Sequence, residues 1–256
     1  MAPSETPPTA ARRLFDHPSV RANYADMTAA SSFVSQMANG TLPRAKYVAF
    51  LSQDRYFLFH FNRAYASALA RAPGIEQQRT FHALIGGVLD ELKLHEDACA
   101  RWGVDDGALE TIHPASRAYV DFLTALQSPD VPMDELVAGM TPCMRLYAAL
   151  GRDYLDRGLV AEGCAYREWF DAYGGDEMEA LAASLEALLP EVRSIQKFFT
   201  HRPVSTFDRV GPFQLTDECF LYGMALRTSS PAAAWRPTIY ARWSSSAISS
   251  PRTRRE

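Results

Sequence analysis

A thiol, two carboxylates and a group of tyrosines are the side chains of this sequence whose setting could do chemistry. Cys143 follows Pro142 in "TPCMRLYAALG" and shares a helical face with Tyr147, four residues on. A cysteine that loses its proton is a strong nucleophile, yet most core cysteines serve only as small apolar residues. Asp54 interrupts an apolar stripe made of Tyr47, Phe50, Leu51, Phe57, Leu58 and Phe61. An ionised carboxylate is too costly to bury without partners. Asp54 must therefore be satisfied by a neighbouring helix or face a polar cavity that receives a ligand. Glu218, in "GPFQLTDECFLYGMALR", lies on a face with Leu221, Tyr222 and Ala225. Placed just after Thr216, it reads on the local sequence alone as favouring the positive end of a helix dipole. Taken together, Asp54, Cys143 and Glu218 amid apolar and tyrosine faces have the make-up of a pocket lining.

The elements that must carry these residues read as helices. Pro142 removes a backbone hydrogen bond and crowds the preceding turn, at a cost of about 3 kcal/mol inside a helix. Either one kinked helix spans about residues 132–157, or Thr141 caps a new helix with Pro142 in its first turn. Met133, Leu136, Val137, Met140, Met144, Tyr147 and Leu150 keep the three-four spacing across the proline, which favours the kinked helix. Helical pieces are predicted before Asn39-Gly40, then over about 43–72 and 75–102, a further one after Pro114, and others over 161–173, 176–200 and 216–227. Connections such as "RAPG", "SPDVP" and "YGGD" separate them, and no period-two segment competes. The fold class is all-α, a helical bundle.

With 256 residues, 47% of them hydrophobic, the chain can build one sizeable core. The expected organisation is a loose leader at 1–12, a helical domain at 13–227, and a disordered Ser, Pro and Arg-rich tail at 228–256. A net charge of −4 gives no reason to expect nucleic acid or an anionic membrane as partner. The opening residues lack the apolar core of a signal peptide, and no run approaches a membrane span, so we expect a cytoplasmic protein. Cys99, Cys143, Cys164 and Cys219 form no Cys-x-x-Cys pair and no zinc spacing, so reduced thiols are expected.

The ordered set "GTLPRAKYVAFLSQDRYFLFHF", "DELKLHEDACARWGV", "TPCMRLYAALG", "YREWFDAYGGDEM" and "ECFLYGMA" resembles the TenA/thiaminase II family of the TENA/THI-4/PQQC superfamily, in its cysteine-containing branch. The likeness spans about residues 14–227. It implies a haem-oxygenase-like bundle and a thiamin-salvage hydrolase that converts 4-amino-5-aminomethyl-2-methylpyrimidine, and in many members thiamin, to the hydroxymethylpyrimidine. Carried over, it makes Cys143 the nucleophile, Glu218 the acid/base group and Asp54 the carboxylate that holds the aminopyrimidine. Tyr119, Tyr147 and Tyr173 match the family's pocket tyrosines. No metal or organic cofactor is implied, and a homotetramer is. Glu91 and His95 match a Glu-x-x-x-His feature of the family. They could suggest a metal, but no second such motif accompanies them, and a structural role is favoured.

This chain departs from the family pattern at three places. Phe57 stands where a tyrosine is common, Leu221 where phenylalanine is usual, and Met144-Arg145 where an aromatic pair is common. Substrate preference and rate are the properties these changes touch. A non-catalytic pyrimidine-binding or regulatory protein on the same scaffold is the competing reading. Retention of both Cys143 and Glu218 disfavours it, since binding needs neither. An oxidative enzyme of the kind that serves pyrroloquinoline quinone synthesis is a third reading, weakened by the cysteine motif.

Overall fold

The structure, a computed structural model, describes residues 15, 16, 18–102 and 112–189. Their elements are α1 (Pro18–Met27), α2 (Phe33–Ala38), α3 (Arg44–Arg71), α4 (Ile75–Trp102), α5 (Pro114–Leu126), α6 (Met133–Asp156), α7 (Arg167–Gly174) and α8 (Asp176–Glu186). There is no strand among the described residues, and the all-α expectation holds. No helix among them is long and apolar enough to cross a membrane. The leader at 1–12, the helix at 216–227 with Glu218 and Leu221, and the tail from 228 lie outside the described residues.

Sequence chemistry explains where the helices start. Ser32 caps α2 by accepting from the Ser35 amide at 3.2 Å. His113 caps α5, where Pro114 occupies a position whose N–H would be unsatisfied anyway, and its Nδ1 accepts from the Ala115 amide at 3.2 Å. The Gln53 side chain of α3 accepts from the His113 amide at 2.9 Å, so the start of α5 is tied to the helix that carries Asp54. Along α3 the buried positions run Tyr47, Phe50, Leu51, Asp54, Phe57, Leu58, Phe61, Ala64, Tyr65 and Ala68, the predicted stripe.

α6 is the organising element. It packs against α3, α5, α7 and α8, while α3 also packs on α4 and α5. It runs unbroken through Pro142, as the apolar spacing predicts. Proline leaves the Ala138 carbonyl without its helical donor. On the same turn the Thr141 hydroxyl donates to the Val137 carbonyl and the Tyr119 hydroxyl to the Gly139 carbonyl, each at 2.8 Å. Side-chain hydroxyls thus serve the carbonyls around the proline, and one of them comes from the neighbouring helix.

Two expected helices differ in the structure. The one predicted over 161–173 starts only at Arg167, because Gly158 and Gly163 adopt φ of 62° and 69° and turn the chain beforehand. Of the one predicted over 176–200, α8 ends at Glu186, where the Ala187 amide bonds back to the Ala183 and Leu185 carbonyls, and residues 190–200 lie outside the described residues.

Gly151 and Gly174 let α6 and α7 meet backbone to backbone. A Cβ on Gly151 would lie 2.9 Å from Gly174 Cα, and one on Gly174 would lie 2.7 Å from the Gly151 carbonyl carbon. Backbone cannot move aside as a flexible side chain can. Gly151→Val is therefore expected to cost about 1–3 kcal/mol through overpacking, more than the helix propensity it gains. Thermal denaturation should show a lowered midpoint; an unchanged one would contradict the close approach.

Candidate active site

Four helices bring the predicted residues of the described part together. Asp54 and Phe57 come from α3, Tyr119 from α5, Cys143 and Tyr147 from α6, and Tyr173 from α7. All six are buried, Asp54 at 3% exposure and Cys143 at 8%. The Tyr147 hydroxyl donates to Asp54 Oδ1 at 3.4 Å, which joins the thiol's helix to the carboxylate's helix. The rings of Tyr147 and Tyr173 lie 4.7 Å apart, a contact made possible by the glycine crossing one turn away. Phe57 stacks on Tyr119 at 5.3 Å, so the aromatic face expected at position 57 is present without a hydroxyl. Tyr119 gives its own hydroxyl to the Gly139 carbonyl. Its ring, more than its oxygen, faces the cluster.

Arg145 takes no part in this cluster. It turns to α8, where its guanidinium holds Glu186 at 2.5 and 3.0 Å and Glu179 at 2.7 and 2.9 Å. At position 145 the departure from the aromatic pair therefore reaches the α6–α8 seam.

Four residues join the site that the functional reading of the sequence did not place there. Glu91 and His95, for which a structural role was favoured, extend from one face of α4 to Asp54. His95 Nε2 lies 3.7 Å from Asp54 Oδ2, and the Tyr173 hydroxyl donates to Glu91 Oε1. Trp169 packs against Tyr173 at 4.7 Å and Tyr147 at 5.8 Å. Tyr65 is fully buried near the thiol, and its hydroxyl has no hydrogen-bond partner among the described residues. The Glu-x-x-x-His spacing was the available signal for the first two. The tyrosine and the tryptophan look like ordinary core residues in sequence. Glu218 and Leu221 lie outside the described residues.

Burial sets the protonation of the cluster. It holds His95 down to about 4, with Arg55 adding to the effect, so the imidazole is neutral near pH 7. Burial, and then the charge of Asp54, push Glu91 up to about 8 against the opposing hydrogen bond from Tyr173. The Cys143 thiol is raised well above its ordinary value by burial and then by Asp54 and Glu91. Burial likewise raises the hydroxyls of Tyr65, Tyr119, Tyr147 and Tyr173, which stay protonated and able to donate. The resting site thus holds a neutral thiol and neutral phenols around an acidic pair.

Asp54, Glu91 and His95 offer three ligand atoms within 4.8 Å of one another, a spread that a divalent ion could accept. Two of the three already receive tyrosine hydroxyls, and His95 faces Asp54 as a neutral imidazole. We read the group as a proton-sharing cluster. Such a site can orient a small molecule that carries ring nitrogens and amino groups, and can attack it with sulfur.

Comparisons with known proteins bear on the family and the fold. Residues 17–197 match the sequence profile of the TENA/THI-4/PQQC family. The chain is 28% identical over 162 residues to an aminopyrimidine aminohydrolase of Halalkalibacterium halodurans, covering 62% of this chain and 72% of that protein. It is 32% identical over 164 residues to a hydroxymethylpyrimidine/phosphomethylpyrimidine kinase of Saccharomyces cerevisiae, covering 62% of this chain but only 29% of the yeast protein. The crystal structure of a TenA homologue from Pyrococcus furiosus superposes with a TM-score of 0.62 at 18% identity, over 85% of this chain and 96% of that one. The fold is the helical haem-oxygenase-like bundle.

Proposed function

This chain belongs to the TENA/THI-4/PQQC family, and from that premise we propose that it is a hydrolase of thiamin metabolism acting on 4-amino-5-aminomethyl-2-methylpyrimidine through Cys143. The observation that carries the reading is the convergence of a buried thiol and a buried carboxylate with the Tyr147–Tyr173 aromatic wall. The likeness to an aminopyrimidine aminohydrolase supports the hydrolytic reading.

Asp54 would receive the aminopyrimidine edge. A buried carboxylate selects for donors, because a ring that lacks them leaves it unsatisfied. Tyr147 orients Asp54, and the rings of Phe57, Tyr119, Tyr147 and Tyr173 supply faces for an aromatic ligand. The Cys143 sulfur then bonds to the ring carbon beside the substituted one, giving up its proton. The displaced ring electrons expel the amine from the exocyclic methylene, and the amine leaves with an added proton as ammonia. Water adds to the methylene carbon, the electrons return, and the sulfur–carbon bond breaks to restore the aromatic ring. Glu218, assigned from the resemblance, is the proposed donor to the amine and acceptor from the water. Leu221 is proposed from the same resemblance as part of the wall. The family likeness also supports a cytoplasmic homotetramer.

The test is product formation from three substrates that share the pyrimidine and differ in leaving group: the aminomethyl compound, its N-formyl derivative and thiamin. The largest kcat/KM is expected for the aminomethyl compound. A preference for thiamin would recast the chain as a thiaminase, and no hydroxymethylpyrimidine from any of them would overturn the hydrolase. Turnover is expected to survive dialysis against a chelator unchanged. A loss restored by a divalent ion would instead make Asp54, Glu91 and His95 a metal centre.

A further inference from the structure

We propose that the Tyr65 hydroxyl is a substrate-binding donor, held without a protein partner at the deep end of the site for the ring nitrogen that Asp54 does not reach. The inference rests on the proposed hydrolase reading and deepens it, because the resemblance that assigns the other tyrosines gives Tyr65 no role.

The placement follows from register. Asp54 meets the Tyr147 hydroxyl, Tyr119 stacks on Phe57 while it donates to the Gly139 carbonyl, and the Arg71 guanidinium donates to the Val131 carbonyl. Residues farther along α3 thus meet residues earlier along α6 and the loop before it, so the two helices run antiparallel. Cys143, one turn before Tyr147, falls between the levels of Asp54 and Tyr65. Tyr65 continues the buried stripe of Asp54, Phe57 and Phe61, with its ring edge-on to Phe61 at 4.7 Å. A helical side chain leans towards the N-terminus of its helix. The Tyr65 ring therefore reaches back along α3, and its hydroxyl approaches the thiol from the side away from Asp54.

This hydroxyl is the one polar atom of the site's deep end that the fold leaves unserved. Tyr65 has 0% exposure, and its oxygen has no hydrogen-bond partner among the described residues. An unpaired buried hydroxyl is destabilising beside a phenylalanine of the same shape, so its presence calls for an acceptor that arrives with a ligand. Burial, and then Cys143, Tyr119 and Glu91, keep the phenol proton in place, so the group stays a donor.

The chemistry of the substrate supplies the acceptor. In the aminopyrimidine, the bond joining the amino-bearing carbon to its ring nitrogen lies directly across the ring from the bond joining the attacked carbon to the second ring nitrogen. With the first edge on Asp54, the second faces the thiol and, beyond it, Tyr65. A hydrogen bond to that second nitrogen draws electron density from the attacked carbon. The same contact thus holds the ring and favours addition of the sulfur.

Tyr65→Phe in the full chain tests this through calorimetric binding of two ligands. One is the product hydroxymethylpyrimidine; the other is its aminopyridine counterpart, in which carbon replaces the second nitrogen. The preference for the pyrimidine over the pyridine is expected to be about tenfold smaller in Tyr65→Phe than in the unsubstituted chain. The denaturation midpoint of the variant should be unchanged or higher, since phenylalanine fills the same place without an unpaired hydroxyl. Equal preference in the two chains, or a lowered midpoint with unchanged binding, would overturn the proposal and make the tyrosine structural. An unsubstituted chain that binds the pyrimidine but forms no hydroxymethylpyrimidine would sink the hydrolase reading, and the comparison of the two ligands would still decide the role of Tyr65.

Discussion

Cys143→Ser is expected to fold normally, bind the aminopyrimidine, and lose at least about ten-thousandfold in turnover. Replacing sulfur with oxygen in a site of 8% exposure changes little volume, so stability should hold. The chemistry changes far more. A thiol is intrinsically nucleophilic and begins within reach of ionisation, whereas a serine hydroxyl needs a strong base beside it. The neighbours here oppose ionisation: Asp54 and Glu91 both raise the thiol, and His95 is held neutral by burial. A hydroxyl in the same place meets no group among the described residues that favours an alkoxide. Loss of a nucleophile that forms a covalent bond typically removes most of the rate enhancement. Turnover, a denaturation midpoint and equilibrium binding measured on one preparation would check the three parts together. A serine variant that keeps a tenth of the rate would remove Cys143 from the mechanism.

Asp54→Asn is the second large effect, and it carries a double signature. The amide matches the carboxylate in shape, but it replaces one acceptor with a donor. Against an aminopyrimidine edge this removes one charge-assisted hydrogen bond and opposes a donor with a donor, a loss of about 2–4 kcal/mol. KM should rise and kcat/KM should fall by roughly thirtyfold to a thousandfold. The same substitution removes the charge that raises both Cys143 and Glu91. The thiol should therefore ionise at lower pH, and label faster with iodoacetamide, in a variant that turns over more slowly. A merely structural aspartate would lower stability and change neither in this opposite sense. Slower labelling together with unchanged KM would contradict the assignment of Asp54 to the substrate.

Much of this site is legible in the sequence because its residues lie on regular helices. Asp54 stands out in a stripe of period 3.6, and elementary solvation argues that it must be satisfied from across the bundle. The structure supplies the Tyr147 hydroxyl for that purpose, with His95 Nε2 standing 3.7 Å from the other oxygen. Cys143 and Tyr147 share a face at any helix geometry, and the unbroken spacing across Pro142 anticipates a single α6. The compensation at that proline is less visible, since the Tyr119 hydroxyl that serves Gly139 comes from another helix. The place of Glu91 in the cluster is hidden for the same reason. Its i, i+4 pairing with His95 can be read along α4, but its meaning depends on Asp54 from α3 and Tyr173 from α7. The late start of α7 had a local cause in two glycines with positive φ. Those residues can be seen in the sequence, but their backbone conformation cannot. Tyr65 offers no signal, because a buried tyrosine on a stripe is ordinary until its hydroxyl is found without a partner among the described residues.

The measurement closest to the central claim is turnover of 4-amino-5-aminomethyl-2-methylpyrimidine by the full chain in isotope-labelled water, following ammonia and the mass of the pyrimidine product. The account predicts ammonia and hydroxymethylpyrimidine in equal amounts, with the new hydroxyl oxygen drawn from water. A folded protein that releases neither, or a product whose oxygen comes from dioxygen, would contradict it.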